Sequence, residues 1–112
     1  NKIFNKVVGT EKSFIKKNYL SWKQIKEISS KGHAIGSHSH YHVGDFKDYK
    51  HSLKILKKRL NIHSNTISYP NGKKIISNKD LKKLGIKTAY TTTFTSKKPY
   101  QLGRIDCNQF FH

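Results

Sequence analysis

The chain has 112 residues, enough for one domain or part of one, and thirteen aromatic residues within its 34% hydrophobic content permit a modest core. Its 23 Lys and Arg residues outnumber six Asp and Glu residues, and the formal charge of +17 favours polyanions such as nucleic acid, anionic lipid or acidic wall polymers. The single cysteine, Cys107, excludes an internal disulfide framework and a Cys-based zinc site, and no apolar run reaches the roughly 20 residues of a membrane span.

The basic surface consists almost entirely of lysine, because Arg59 and Arg104 are the only arginines. Arginine has the planar fork suited to base and phosphate recognition, so the composition favours diffuse attraction over specific readout. A solvated surface without any anionic partner is the alternative. The start NKIFNKVVGT does not have the pattern of a signal peptide, and we expect a mature, cleaved or truncated protein.

The first helix signal lies in the segment 19–32, YLSWKQIKEISSKG. Ser21 and Gln24 have the spacing of a capping box, and Gly32 is a typical helix stop. The following segment 33–37, HAIGS, is short and apolar, which predicts a strand that leads into a histidine-rich stretch.

The strongest helix signal follows the histidines. Asp45 or Gly44 is a suitable N-cap for it, and lysines fill its polar face. Apolar residues recur there at intervals of three and four, at Phe46, Tyr49, Leu53, Leu56 and Leu60.

The second half of the chain alternates strands with one short helix. A strand that ends in a Pro-Asn-Gly turn is predicted at 65–74, and a helix with Ser77 as its cap and Gly85 as its stop follows. β-branched and aromatic residues predict further strands at 86–94 and 102–107.

This alternation of about four strands and three helices predicts an α/β fold with parallel strands and crossover helices. The number of elements is too small for a complete eight-unit barrel of roughly 250 residues. The sequence therefore predicts a single domain over 1–112 that is either a partial or distorted (β/α) barrel or a small open sheet.

Three histidines, His38, His40 and His42, occupy every second position after Gly36, and His33 lies just upstream. Neutral imidazole is the commonest side-chain metal ligand. In an extended strand the first and third histidines would lie roughly 13 Å apart, whereas in a helical turn their Cβ atoms would lie about 5–6 Å apart. The open alternatives are a shared ion at a turn, a strand-like pair of alternate histidines, and a polar cluster that binds no metal.

The segment GHAIGSHSHYH, preceded by a helix, resembles the polysaccharide deacetylase family, the NodB-homology domains of carbohydrate esterases. In that family a His-Ser/Thr-x-x-His motif supplies two metal ligands. The resemblance implies that His38 and His42 bind a divalent metal, with zinc favoured, and that Ser39 holds the loop. It gives His40 a variable position and His33 a structural role.

A second match is ISYPNGK, which resembles the family's strand-end motif of an aromatic residue, Pro, any residue and Gly. The resemblance implies that Tyr69, Pro70 and Gly72 shape one wall of a substrate groove and that the backbone N–H of Asn71 helps to hold the oxyanion. A plain strand-to-turn connection is the alternative. The segments DLKKLGIKTAYTT and GRIDC resemble the family's later elements, where Arg104 would brace site carboxylates or else lie at the surface.

The chain departs from the family because it lacks the adjacent Asp-Asp pair that supplies the third metal ligand and the general base. Its acidic residues are Glu11, Glu27, Asp45, Asp48, Asp80 and Asp106. Asp45 could replace the missing ligand, but helix capping is its expected role. The late Leu-x-x-His motif that supplies the general acid is also unmatched. We therefore expect the C-terminal portion of such a domain, with little turnover of its own.

The resemblance implies a metal-dependent hydrolase that removes N-acetyl groups from an N-acetylglucosamine-containing polysaccharide, in an extracellular or cell-surface location. One alternative is an inactive domain that binds glycan or an anionic cell-wall polymer through its lysines. A basic nucleic-acid-binding protein is less favoured, because no binding motif accompanies the charge and the lysines are spread along the chain. A partial barrel would also expose strand edges, which predicts self-association.

Overall fold

The computed structural model describes residues 9–93 and 96–105, together with Lys6 and Cys107. The chain divides into two compact units, Asn1–His33 and Ala34–His112. Within the described ranges, no helix has both the length and the apolar character required to cross a membrane.

The first unit contains the helices α1 (Glu11–Asn18) and α2 (Trp22–Ser30). The Thr10 hydroxyl caps α1 by accepting a hydrogen bond from a backbone N–H of its first turn at 3.2 Å. The predicted capping box of α2 is confirmed, because the Ser21 hydroxyl and the Gln24 side chain each accept from the other residue's backbone N–H. The α1 segment, EKSFIKKN, has two adjacent apolar residues and no helical periodicity, so it was not predicted.

The second unit contains the helices α3 (Phe46–Leu60) and α4 (Asn78–Lys83). The bounds of α3 agree with the predicted periodicity, and Asp45 caps it by accepting from a backbone N–H of the first turn at 2.8 Å. The helix ends at Asn61, which has a left-handed backbone with φ of 56°. Ser77 caps α4 in the same way, as predicted.

The sheet of this unit has the strand order β1-β2-β4-β3. Its strands are β1 (Thr66–Ser68), β2 (Thr88–Tyr90), β3 (Lys97–Lys98) and β4 (Gln101–Leu102). The pairs β1–β2 and β2–β4 are parallel, and β3–β4 is antiparallel. Beside β1, Ser37 forms an isolated parallel bridge with Ile67.

The described strands form an open, mostly parallel sheet that does not close into a barrel, so the open-sheet alternative is the observed one. The strand predicted at 33–37 is reduced to the Ser37 bridge, because the chain turns away at Ser39, whose φ is 67°. The later strands are shorter than predicted. The last residue of the predicted strand 86–94, and Asp106, lie outside the described residues.

The core of the second unit ties α3 to the sheet. Its buried residues are Tyr49, Ile67, Tyr69, Ile76, Leu81, Ile86 and Ala89. The Tyr49 side chain is fully buried, and its hydroxyl donates a hydrogen bond to the backbone carbonyl of Ser68 at 3.0 Å. This contact holds the start of α3 against the carboxyl end of β1. The loop 38–45, which carries the histidines and is called the histidine loop below, lies at the same place.

Candidate metal centre

The predicted site residues gather at the carboxyl edge of the sheet. His38 follows the bridge residue Ser37, Tyr69 follows β1, and Arg104 comes two residues after β4. Because the three segments run parallel, their carboxyl ends point to the same edge, which is where open α/β sheets bind ligands.

The histidine stretch forms a turn that brings His38 and His42 together. Their Nε2 atoms are 3.2 Å apart, and their ring centroids are 5.1 Å apart. The His40 ring lies instead against the rings of Tyr41 and His51, at centroid distances of 4.5 and 4.6 Å. The structure therefore has a turn and not a strand-like pair, and this turn is compatible with both a shared ion and a polar cluster without metal.

The separation of the two Nε2 atoms fits a tetrahedral metal site. Zinc binds histidine nitrogen at about 2.0–2.1 Å, so two ligands of a tetrahedral ion lie about 3.3–3.4 Å apart. The observed 3.2 Å is close to this spacing. It also suits a hydrogen bond between the rings when one Nε2 carries a proton. A metal ion held by both nitrogens would take the place of that proton, because each Nε2 would then bind through its lone pair.

Ser68 orients the His38 ring from the opposite side. The Nδ1 atom of His38 lies 3.2 Å from the Ser68 carbonyl oxygen and 2.8 Å from its hydroxyl oxygen. With the proton on Nδ1, His38 donates to Ser68 and its Nε2 lone pair faces His42. Histidine ligands of metals are commonly oriented by such a second hydrogen bond.

The loop that carries the histidines is held by the buried carboxylate of Asp48, which is 4% exposed. Its Oδ1 accepts from the N–H groups of His40 and Tyr41, both at 2.8 Å. Its Oδ2 accepts from the N–H groups of Val43 and Gly44, both at 2.9 Å. One side chain therefore satisfies four backbone donors of a loop that has no regular secondary structure.

Burial raises the pKa of Asp48, but the four backbone hydrogen bonds outweigh burial and hold this pKa well below its usual range. Asp48 is therefore ionised at neutral pH. Because all four of its hydrogen bonds come from N–H groups of the loop, the carboxylate faces the loop backbone. Asp48 therefore stabilises the turn and is not a metal ligand.

The side chain expected to hold the loop was Ser39, but the Ser37 side chain makes these hydrogen bonds instead. The Ser37 hydroxyl accepts from the Ser39 N–H at 3.1 Å and bonds the Ser52 hydroxyl of α3 at 2.7 Å. The Ser39 hydroxyl oxygen is buried without a hydrogen-bond partner in the described part of the chain. Ser39 and His42 both have left-handed backbones, with φ of 67° and 60°, and these two reversals give the loop its turn.

The first two residues of the predicted groove wall, Tyr69 and Pro70, are buried in the interior. Tyr69 is fully buried, and its hydroxyl donates to the Tyr100 carbonyl at 2.7 Å. Burial, followed by the neighbouring Tyr100, raises the pKa of Tyr69 to about 12. Pro70 is also buried, and its Cδ lies 3.1 Å from where a Cβ on Gly44 would be. The Pro70 ring packs against the loop at Gly44, and Tyr69 belongs to the core.

The rest of the wall is a turn in which Asn71 is exposed and Gly72 is half-buried. Both residues have left-handed backbones, with φ of 53° and 68°. A Cβ on Gly72 would collide with the Thr92 side chain, so glycine is required there for space as well as for conformation. The Gly72 carbonyl accepts from the Thr91 hydroxyl at 2.8 Å, which joins the turn to the end of β2.

The remaining predicted residues do not complete a metal site. Arg104 donates from Nε to the Thr91 carbonyl at 3.1 Å and is exposed, and Asp45 caps α3. Within residues 9–93 and 96–105, no three His, Cys, Asp or Glu side chains are grouped closely enough to hold a metal ion. The described residues therefore include two adjacent imidazoles without a third candidate ligand beside them.

Two residues important to the site were missed by the sequence analysis. Asp48 lies in the first turn of α3, where an acidic residue is ordinary, and no local pattern indicates that it bonds back to the loop. Ser68 immediately precedes Tyr69 of the predicted groove wall. The alternation of residues in β1 was the only sequence feature that could have indicated its role. Both act through contacts between segments distant in sequence.

The fold and the site together define an α/β protein with a pair of converging imidazoles at the carboxyl edge of an open sheet. No family model, curated protein or solved structure matches the chain. The resemblance to polysaccharide deacetylases therefore remains an expectation drawn from the two sequence motifs.

Proposed function

We propose that the chain is part of a metal-dependent hydrolase of the polysaccharide deacetylase type, which removes N-acetyl groups from an N-acetylglucosamine-containing polysaccharide. The observation that carries the proposal is the 3.2 Å separation of the His38 and His42 Nε2 atoms, with His38 oriented by Ser68. A pair prepared in this way supplies two of the ligands of a divalent ion, and the nitrogen donors and the tetrahedral spacing favour zinc.

In this proposal the residues at the carboxyl edge of the sheet have separate roles in binding and catalysis. His38 and His42 hold the ion, which when bound polarises an amide carbonyl and lowers the pKa of water. The Asn71 N–H lies in an exposed left-handed turn and donates a hydrogen bond to the carbonyl oxygen as negative charge develops on it. Tyr69 and Pro70 support this wall from inside, and the N-acetyl group lies between the wall and the histidines.

The proposed activity requires a third metal ligand and a base from outside the described part of this chain. Two imidazoles bind a metal weakly, and a catalytic zinc site usually has three protein ligands. A further polypeptide segment or a second chain would supply an Asp or Glu at this edge. An extracellular or cell-surface location, where such polymers are found, belongs to the same proposal.

The absence of a third ligand among the described residues favours one second candidate. In this candidate the protein is an inactive domain of the same architecture, which binds glycan or an anionic wall polymer without hydrolysis. The metal would then be structural or absent, and the edge would serve only to hold sugar rings.

Calorimetric titration with Zn²⁺ tests the metal site, using the wild-type chain and the variants His38→Ala, His42→Ala and His40→Ala. We expect the first two variants to lose binding and His40→Ala to retain it, because the His40 ring faces Tyr41 and His51. His40→Ala is a matched control, since it removes an imidazole from the same loop. An equal loss in all three variants would exclude the proposed ligand pair.

Acetate release from N-acetylchitooligosaccharides, measured on the protein with its natural flanking sequence and Zn²⁺, tests the hydrolase. Activity that disappears in His38→Ala and His42→Ala supports the hydrolase. Oligosaccharide binding without acetate release supports the inactive binding domain instead.

A further inference from the structure

A second concave site lies at the opposite edge of the same sheet. A cavity of about 510 Å³ is lined by Lys50, Lys54 and Lys57 of α3 and by Lys87. Asn65, which directly precedes β1, also lines it, and the Lys87 N–H donates to the Asn65 carbonyl at 2.8 Å. Lys87 in turn directly precedes β2, so the cavity lies at the amino ends of strands whose carboxyl ends carry the histidine site.

The charge of this cavity has one sign. Four lysines and His63 line it, and no Asp or Glu is among its lining residues. Lysines that face a common concave space repel one another, and an anion bound between them relieves this repulsion. The arrangement therefore favours a ligand that carries several negative charges.

Aliphatic side chains supply the apolar part of the cavity, namely Leu53, Ile62 and Leu84, all of which are half-buried. The lining contains no Tyr, Phe, Trp or Arg. Proteins that bind single-stranded nucleic acid stack bases on aromatic rings, and specific base recognition commonly uses arginine. The surface is suited to aliphatic units between anionic groups and is poorly suited to bases.

We propose that this cavity is a binding site for a flexible phosphodiester polymer whose phosphates are joined by aliphatic polyol units. Lys50, Lys54 and Lys57 lie along one face of α3, separated by about 6 and 4.5 Å of helix rise. Successive phosphates contact successive lysines, and the aliphatic units lie over Leu53 and Leu84. The site is independent of the metal centre and of the proposed hydrolase activity.

Fluorescence anisotropy with a labelled synthetic glycerol-phosphate oligomer tests the proposal on the full chain. If four phosphates are neutralised, the logarithm of the binding constant should fall with log salt at a slope of about −2.8. This slope corresponds to a loss of about 50-fold in affinity between 50 and 200 mM salt. The triple variant Lys50→Gln, Lys54→Gln, Lys57→Gln should bind at least about tenfold more weakly, with a slope near −0.7.

The matched control is the triple variant Lys23→Gln, Lys26→Gln, Lys82→Gln, which removes the same charge at exposed helical positions outside the cavity. It should keep the wild-type slope and lose only a small part of the affinity. Circular dichroism verifies that both variants keep their helices, as the similar helix propensities of Lys and Gln predict.

Three results would overturn the proposal. Equal losses in the two triple variants would mean that the attraction is a property of the whole basic surface. An oligothymidylate with the same number of phosphates that binds more tightly, with the same dependence on these lysines, would make the site one for nucleic acid. A wild-type chain that does not bind the oligomer at 50 mM salt would exclude the site.

Discussion

Replacement of Asp48 by Asn should unfold the histidine loop, although the two side chains have almost the same shape. An amide has one accepting oxygen, so two of the four backbone N–H groups now bonded to Asp48 would face an NH₂ group. A buried donor left unsatisfied costs about 1–3 kcal/mol; because three of the four donors are only partly buried, we expect the lower end, a loss of about 2 kcal/mol for the pair. This loss is a substantial fraction of the total stability of many domains, about 5–15 kcal/mol.

Urea denaturation followed by far-UV circular dichroism measures the change in unfolding free energy. Amide hydrogen exchange of His40, Tyr41, Val43 and Gly44 measures the loop directly. We expect Asp48→Asn to lower the urea midpoint and to lose protection at these four amides. The matched control is Asp45→Asn, which removes a charge from the same turn but keeps a good N-cap, so its stability should change by only a few tenths of a kcal/mol.

The pH dependence provides an independent test of the same carboxylate. The pKa of Asp48 in the folded protein lies well below 3.8, the usual value that it regains on unfolding. Its contribution to stability is therefore complete above about pH 5 and is lost as the pH falls through 3.8 towards the depressed pKa. Asp48→Asn should lack this part of the acid destabilisation. Parallel pH profiles for the wild type and the variant, or equal urea midpoints, would refute the role assigned to Asp48.

Two further substitutions test the edge around the loop. Ser68→Ala removes the hydroxyl that lies 2.8 Å from His38 Nδ1. It should weaken Zn²⁺ binding about tenfold in calorimetry and leave the urea midpoint unchanged. An unchanged affinity would mean that the Ser68 carbonyl alone orients the ring. Gly72→Ala should destabilise the protein by about 2–3 kcal/mol in urea denaturation, because φ is 68° and the new Cβ meets Thr92. Adding Thr92→Ala to that variant should recover part of the loss, and strictly additive effects of the two substitutions would contradict the collision.

Local signals in the sequence were sufficient where an element is stabilised by its own residues. The bounds of α3 followed from the spacing of its apolar residues, and the caps at Ser21 and Ser77 followed from the residue types. The turn at the histidines was one of several alternatives, because spacing alone does not determine whether four residues are extended or reversed. The structure distinguishes them through the left-handed conformations of Ser39 and His42.

Contacts between distant segments explain what could not be predicted. The segment 33–37 has the composition of a strand, yet it pairs with β1 only at Ser37, because the chain reverses two residues later. The inward packing of Tyr69 depends on Tyr100, which is 31 residues away, and the orientation of His38 depends on Ser68. No periodicity within a single element encodes such contacts.

The attachment of the histidine loop at both ends has a consequence for how its length can vary. Ser37 is joined to the sheet by backbone hydrogen bonds, and Asp48 is fixed within α3, so ten residues must cover a set path between them. An insertion or deletion within this stretch would shift His42 away from His38 even if every histidine were kept. A residue inserted beside Gly32, in the exposed stretch 30–34, should be accepted far more readily. The spacing of the stretch is therefore under stricter constraint than most of its side chains.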